Sequence, residues 1–164
     1  DPYVGTQAEL FKWIVKGRFP IWPSGGAHYV DVRDVADVVA ACMAQGYGPR
    51  RYVVPGHHLD GDLMNGTLHK ITGRWLPFIS APAMVAKPFT QFAELVNKVL
   101  PGNMHLPADA ETVELAERDT RFDTSLTTEE LGIEARPFEE TVTDTLLWLI
   151  EIGALGTRYA GNLR

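Results

Sequence analysis

Strand-forming sequence is scarce in this chain, and the scarcity limits what the chain can build. Besides an extended piece bracketed by Pro20 and Pro23, four short runs read as strand or extended: residues 27–32, 51–54, 74–80 and 120–123. An independent doubly wound sheet needs more and longer strands than these to present two faces for helices to cover. Most of the remaining sequence carries apolar residues at helical spacing. The layout is therefore α/β with more helix than strand. The short strands are expected to complete a sheet whose remainder lies outside the chain.

The helices follow from spacing and end signals. Residues 6–17 put Leu10, Phe11, Ile14 and Val15 on one face, with Thr6 as the expected N-cap and Gly17 as the stop. Pro20 and Pro23 bracket an extended piece, and Ser24-Gly25-Gly26 signals a turn. The strand at 27–32 runs into a helix over about 33–45. There Val35, Val38, Val39, Cys42 and Met43 form the stripe expected to be buried, and Asp34 and Asp37 complement the helix dipole. Residues 61–72 form a helix closed by Gly73. Residues 83–100 form the longest, with Val85, Phe89, Phe92, Val96 and Val99 along one side as core or pocket wall, and Pro88 kinking it. Residues 109–118 are a further helix. Thr124 or Ser125 caps a helix to Leu131, followed by Gly132. The last helix starts at Pro137, ends near Ile152 and turns Phe138, Val142, Leu146, Leu149 and Ile150 inward. Residues 1–152 read as one unit and 153–164 as a C-terminal tail.

Composition narrows the function. The net charge is −6 and the fifteen Lys and Arg are scattered, which disfavours nucleic acid as a partner. No segment reaches the roughly 18 apolar residues of a membrane span. The best candidate, 82–100, carries Lys87, Gln91, Glu94, Asn97 and Lys98. One cysteine, Cys42, makes neither an internal disulfide nor a cysteine metal cage, which suits a cytoplasmic location. The start lacks a secretory-signal pattern, and Asp1-Pro2 without a methionine is what a fragment or processed chain looks like.

Three ordered segments resemble the C-terminal part of extended short-chain dehydrogenase/reductase proteins, the family of NAD-dependent epimerases, dehydratases and dihydroflavonol-reductase-like enzymes. Tyr29-Val30-Asp31-Val32-Arg33-Asp34-Val35-Ala36 resembles the family's aromatic-Val-His-Val-x-Asp-Val-Ala segment, with Asp31 where His is common. Arg50-Arg51-Tyr52-Val53-Val54-Pro55-Gly56 is similar to its Gly-x-x-Tyr-hydrophobic-x-x-Gly segment. Asp123-Thr124-Ser125, Leu131-Gly132, Arg136-Pro137 and Trp148 resemble its closing pattern, with Leu126 in place of Lys and Thr127 in place of Ala.

The resemblance implies the C-terminal portion of a Rossmann-type fold, mostly helical with a few short strands, lacking the N-terminal nucleotide-binding half. The family's Gly-x-x-Gly-x-x-Gly loop is absent. None of Tyr3, Tyr29, Tyr47, Tyr52 or Tyr159 has Lys four residues later, as the family's proton-transfer pair requires. The chain by itself is thus expected to hold no NAD(P) and to supply no catalytic, cofactor-binding or metal-binding residue. NAD or NADP belongs to the intact protein. The expected contribution of this chain is a substrate pocket from segments 1–5, 19–28 and 74–92, with Tyr3, Trp22, His28, Phe78 and Phe89 as substrate-binding residues. Expected partners are the small-molecule substrate, the missing N-terminal half, and a second copy in a homodimer or domain-exchanged dimer. Nucleotide-sugar members usually carry Arg four residues before the motif His, and Ala27 stands there. The apolar, aromatic stretch 74–106 points instead to a carbonyl or alcohol substrate of rather apolar character, dihydroflavonol-like or sterol-like. A nucleotide-sugar epimerase or dehydratase and a non-catalytic, ligand- or cofactor-sensing module are the alternatives.

Other residues read structurally. His57-His58-Leu59-Asp60-Gly61-Asp62 has metal-like content, but adjacent histidines rarely converge on one ion, so a solvated turn is expected. Tyr29 is expected in the core. The pairs Glu129-Glu130 and Glu139-Glu140 sit in helix first turns, where the dipole accounts for them.

Overall fold

The helices form where the apolar period and the end signals agree. In this computed structural model, which describes residues 4–19, 21–44, 46, 48–82, 84, 88, 95 and 118–163, helix α1 (Thr6–Val15) buries Phe11, Ile14 and Val15. Its N-cap is Gly5, whose carbonyl accepts from the Glu9 N–H at 3.0 Å, so Thr6 is the first helical residue rather than the cap. Strand β1 (Ile21–Pro23) and strand β2 (Ala27–Tyr29) follow. Helix α2 (Val32–Cys42) is N-capped by Asp31, which accepts from the Arg33 N–H at 2.8 Å. Strand β3 (His57–Leu59) leads into helix α3 (Gly61–Thr72), capped by Asp60 and closed by Gly73 at φ 70°. Strand β4 (Ile79–Ala81), helix α4 (Ser125–Leu131), helix α5 (Phe138–Glu151) and a 3₁₀ turn at Thr157–Tyr159 complete the order.

The strands form two separate pairs. β1 and β4 run parallel, with Trp22 beside Ser80. β2 and β3 run antiparallel, with His28 opposite His58 and Tyr29 opposite His57. The core lies between α1, α3 and α5: Val15, Leu68, Leu146 and Leu149 are almost fully enclosed. Residues after α5 close one end of it. Leu155 and Ala160 are buried, and the Asn162 N–H donates to the Thr72 carbonyl at 3.2 Å.

Three local expectations are corrected. The β-rich run 51–54 joins neither sheet; the strand is 57–59, the segment read as a solvated turn. Gly56 permits this, because a Cβ there would lie 2.3 Å from the Tyr29 carbonyl oxygen. The expected strands at 27–32 and 120–123 are also shorter or missing: β2 stops at Tyr29 because Asp31 already caps α2, and 120–123 has no ladder partner among the described residues. Finally, the α2 stripe is buried only in part: Val38 is enclosed and Val35 half-buried. Cys42 is exposed, as are Val39 and Met43, while the inward side carries Asp34 and Val38. The helices expected at 83–100 and 109–118 lie outside the described residues apart from positions 84, 88, 95 and 118. Among the described residues no helix is long and apolar enough to cross a membrane.

Candidate functional site

The residues that carried the family resemblance meet in a clamp between the N-termini of α2 and α5. Asp31 and Asp34 are buried. The Arg33 side chain donates to Asp31 at 2.7 and 3.0 Å, and the Thr141 hydroxyl at 2.7 Å. The Arg33 guanidinium holds the Asp31 carboxyl well below the usual carboxylate range; burial opposes this and the Thr141 hydroxyl assists. Arg136 donates to Asp34 at 2.6 Å from its side chain and at 3.2 Å from its backbone N–H, and reaches Asp37 at 3.2 Å. Every carboxylate here has a protein partner, so the clamp is architecture rather than chemistry.

A cleft of about 170 Å³ opens beside β3 and the start of α3, lined by Gly25, His58, Asp60, Gly61, Asp62, Phe78, Ser80, Asp119 and Arg121. Local structure explains its composition. The β2–β3 ladder sets His58 opposite His28, the Asp60 cap and Gly61 place the first turn of α3 at the rim, and β4 supplies Ser80. His58 Nε2 lies 2.8 Å from Asp119 Oδ1, and Asp119 sits in the left-handed region at φ 46°. His58 Nδ1 is buried without a hydrogen-bond partner. A general base needs a free ring nitrogen facing its substrate. Here the outer nitrogen is held by Asp119 and the other points into protein, so the His58–Asp119 pair positions the 118–122 turn and is not arranged for proton transfer. The cleft lining holds three carboxylates, Asp60, Asp62 and Asp119, and one guanidinium, Arg121. Among the described residues no three metal-ligating side chains converge.

Of the five expected substrate-binding residues, Phe78 lines this cleft. Trp22 lies behind it, buried, edge-on to Phe19 at 5.7 Å and against Gly61. A Cβ on Gly61 would meet both Trp22 and Phe78 at 2.9 Å, so that glycine lets the two rings form one wall. His28 is off the cleft: its Nε2 is 3.0 Å from the Val54 carbonyl and its ring meets Phe122 edge-on at 5.2 Å. Tyr3 and Phe89 lie outside the described residues. Sequence reasoning missed Asp119, which only the fold brings near His58, whereas Ser80 and Gly25 fall within the expected pocket segments 74–92 and 19–28. It did single out the His57–Asp62 run, and that run supplies His58, Asp60, Gly61 and Asp62 to the cleft.

No family model matches the chain, and no curated protein matches it. Its fold is similar to that of a crystal structure, that of gox2253, with a TM-score of 0.66 at 20% sequence identity. The likeness covers 91% of this chain and 44% of that one, so the chain spans less than half the length of that structure.

Proposed function

We propose that this chain is the C-terminal, substrate-binding portion of an NAD(P)-dependent oxidoreductase of the extended short-chain dehydrogenase/reductase type. In the intact protein hydride passes between a nicotinamide and the carbonyl or alcohol carbon of a rather apolar small molecule. The observation that carries this reading is the strand arrangement. Among the described residues two pairs of three-residue strands, one of them parallel, form separate sheets, and the extended run 51–56 joins neither. Parallel strands are found almost always inside larger, doubly covered sheets. The match to part of a longer chain supports the same view.

Among the described residues, the helix ends of α1, α2, α3 and α5 do not fit the cofactor itself. A pyrophosphate needs a helix N-terminus with unoccupied N–H groups and positive potential. Helices α2 and α3 are capped by Asp31 and Asp60, α5 begins with Glu139 and Glu140, and α1 has Glu9 in its first turn. Each of these ends already carries a carboxylate, which supports placing the nucleotide site outside the described residues. What this chain contributes is shape: the Trp22–Phe78 wall over Gly61 and the rim around His58. The three cleft carboxylates also disfavour a diphosphate, which weighs against a nucleotide sugar.

The test compares two polypeptides. NADH fluorescence titration of the 164-residue chain should show no binding; micromolar affinity would overturn the reading. The product of the complete reading frame should bind NADH or NADPH and reduce apolar ketones. Turnover of UDP-sugars instead would favour an epimerase or dehydratase. Cofactor binding without turnover of either class would favour a sensing module.

A further inference from the structure

Lys and Arg are scattered along the sequence, but the fold gathers four of them where α1 and α3 end. Lys16 is the C-cap of α1, Arg18 follows two residues later, and Arg74 comes directly after Gly73, which closes α3. Arg158 belongs to the 3₁₀ turn at Thr157–Tyr159. Tyr159 is the post around which they stand. The Arg74 and Arg158 guanidinium carbons each lie 4.9 Å from the centre of its ring, and Arg158 donates to its hydroxyl at 3.0 Å. That hydrogen bond holds the Tyr159 hydroxyl below the ordinary phenol range; burial opposes it, and the charges of Arg158, Lys16 and Arg18 reinforce it. Arg18 in turn lies 6.0 Å over the Trp13 ring. Packing on aromatic rings fixes the guanidiniums in place. Elsewhere Arg33, Lys70, Arg121 and Arg136 are paired with carboxylates, but among the described residues none of these four cations has such a partner. The two helix C-termini account for about half a negative charge each, and the Arg74 bond to the Val15 carbonyl at 2.8 Å uses part of that. Roughly three positive charges stay unmatched. Like charges held this close repel one another, and an anion shared among them removes the repulsion.

We propose that this cluster binds a phosphoryl dianion, carried by a soluble phosphate ester or by a lipid headgroup. The inference stands apart from the function proposed above. Guanidinium forks present paired donors that match adjacent phosphoryl oxygens, and the Lys16 ammonium adds a point charge. Arg74 commits one terminal nitrogen to Val15 and Arg158 one to Tyr159, so each keeps further N–H groups to donate. Arg18 and Arg158 are exposed, and Lys16 and Arg74 half-buried, so an anion reaches them from solvent. The site is distinct from the cleft, which lies at the first turn of α3; the cluster lies past the last turn, about 18 Å along the helix. The net charge of −6 does not prevent binding, because charges beyond roughly 8 Å are largely screened at physiological salt.

Calorimetric titration of the 164-residue chain with inorganic phosphate at low salt should give a Kd of about 0.1–1 mM. Arg158→Gln should weaken binding about tenfold, and Arg18→Gln, which leaves the Tyr159 contacts in place, about threefold. Arg51→Gln removes the same charge from an exposed position next in sequence to the Arg50–Glu130 pair, and should change the Kd by less than about twofold. Tyr159 gives a readout that a structural role of Arg158 would not move. Phosphate should shift its alkaline titration upward, read as the absorbance difference between the chain and Tyr159→Phe. Vesicles of phosphatidylcholine with about one-tenth phosphatidic acid separate the two sources. Co-sedimentation that Arg158→Gln abolishes assigns the phosphate to a lipid, and phosphate binding without co-sedimentation assigns it to a soluble ester. Absence of both saturable heat up to about 10 mM phosphate and vesicle binding would overturn the proposal. So would equal losses in Arg158→Gln and Arg51→Gln. Binding by the chain but not by the product of the complete reading frame would mean that other parts of the polypeptide cover the cluster, and would overturn it as well.

Discussion

Asp34 shows how far one residue's meaning depends on a partner distant in sequence. Its place in a helix first turn accounts for a dipole role, but its carboxylate is buried and paired with Arg136, 102 positions away. Replacing it with Asn leaves a half-buried guanidinium short of its main partner. The expected cost is about 2–3 kcal/mol, at or just below the low end for a broken buried pair because Arg136 keeps Asp37 and Glu140. Urea denaturation of Asp34→Asn reads it directly, and Asp34→Asn with Arg136→Met should recover part of the loss. Asp31 adds a pH dependence. Its folded carboxyl titrates below its unfolded value of about 4, so it stabilises the fold above that pH and the contribution fades as the solution is acidified through the folded value. Asp31→Asn should therefore cost stability at pH 7 and progressively less from pH 4 downward, approaching the wild type. A constant gap across the acid range would show that the carboxylate's charge is not what matters.

At the scale of elements, legibility followed the source of the signal. Helices α3 and α5 were readable because each combines an apolar period with an end residue of fixed conformational use. Gly73 stops α3 where expected, and Pro137 precedes α5. Strands were not, because three-residue strands are defined by who pairs with them, and β propensity is a weak guide to that. Arg51-Tyr52-Val53-Val54 has the better composition, yet His57-His58-Leu59 has the ladder, since Gly56 clears the way to Tyr29. The α2 stripe was visible, but its burial was not, because periodicity identifies an apolar face without saying what covers it. Two glycines in left-handed conformations separate backbone strain from crowding. Gly132, at φ 66° with open space around it, should lose about 1 kcal/mol as Gly132→Ala. Gly161, at φ 55°, has the Thr72 carbonyl oxygen 1.9 Å from where a Cβ would sit. Gly161→Ala must push the last residues off α3, so it should cost at least about 3 kcal/mol and speed hydrogen exchange across 155–163. Equal effects of the two substitutions would mean that the C-terminal residues are not held by that contact.

For the molecule as a whole, the α/β class and the predominance of helix were legible from spacing alone, whereas the site was legible only in part. Gly25, Phe78 and Ser80 come from segments expected to shape a pocket, but the His57–Asp62 run was expected to be a solvated turn, and Asp119 comes to the cleft from a turn whose position no local pattern encodes. The surface that results is unusual for a chain meant to stand alone. Val32, Val39, Met43, Trp75 and Ile79 are each more than half exposed, and among the described residues each sheet has only two strands. Unpaired edges and apolar strips are the features through which incomplete folds associate. The net charge of −6 opposes association but is screened beyond roughly 8 Å at physiological salt, so short-range apolar contact prevails. Sedimentation velocity of the 164-residue chain should therefore show a weight-average coefficient that rises with concentration across about 1–100 micromolar, more steeply at higher salt. Val39→Glu with Met43→Glu should flatten that rise. A chain that stays monomeric over the whole range and melts cooperatively above about 60 °C would instead be a finished domain.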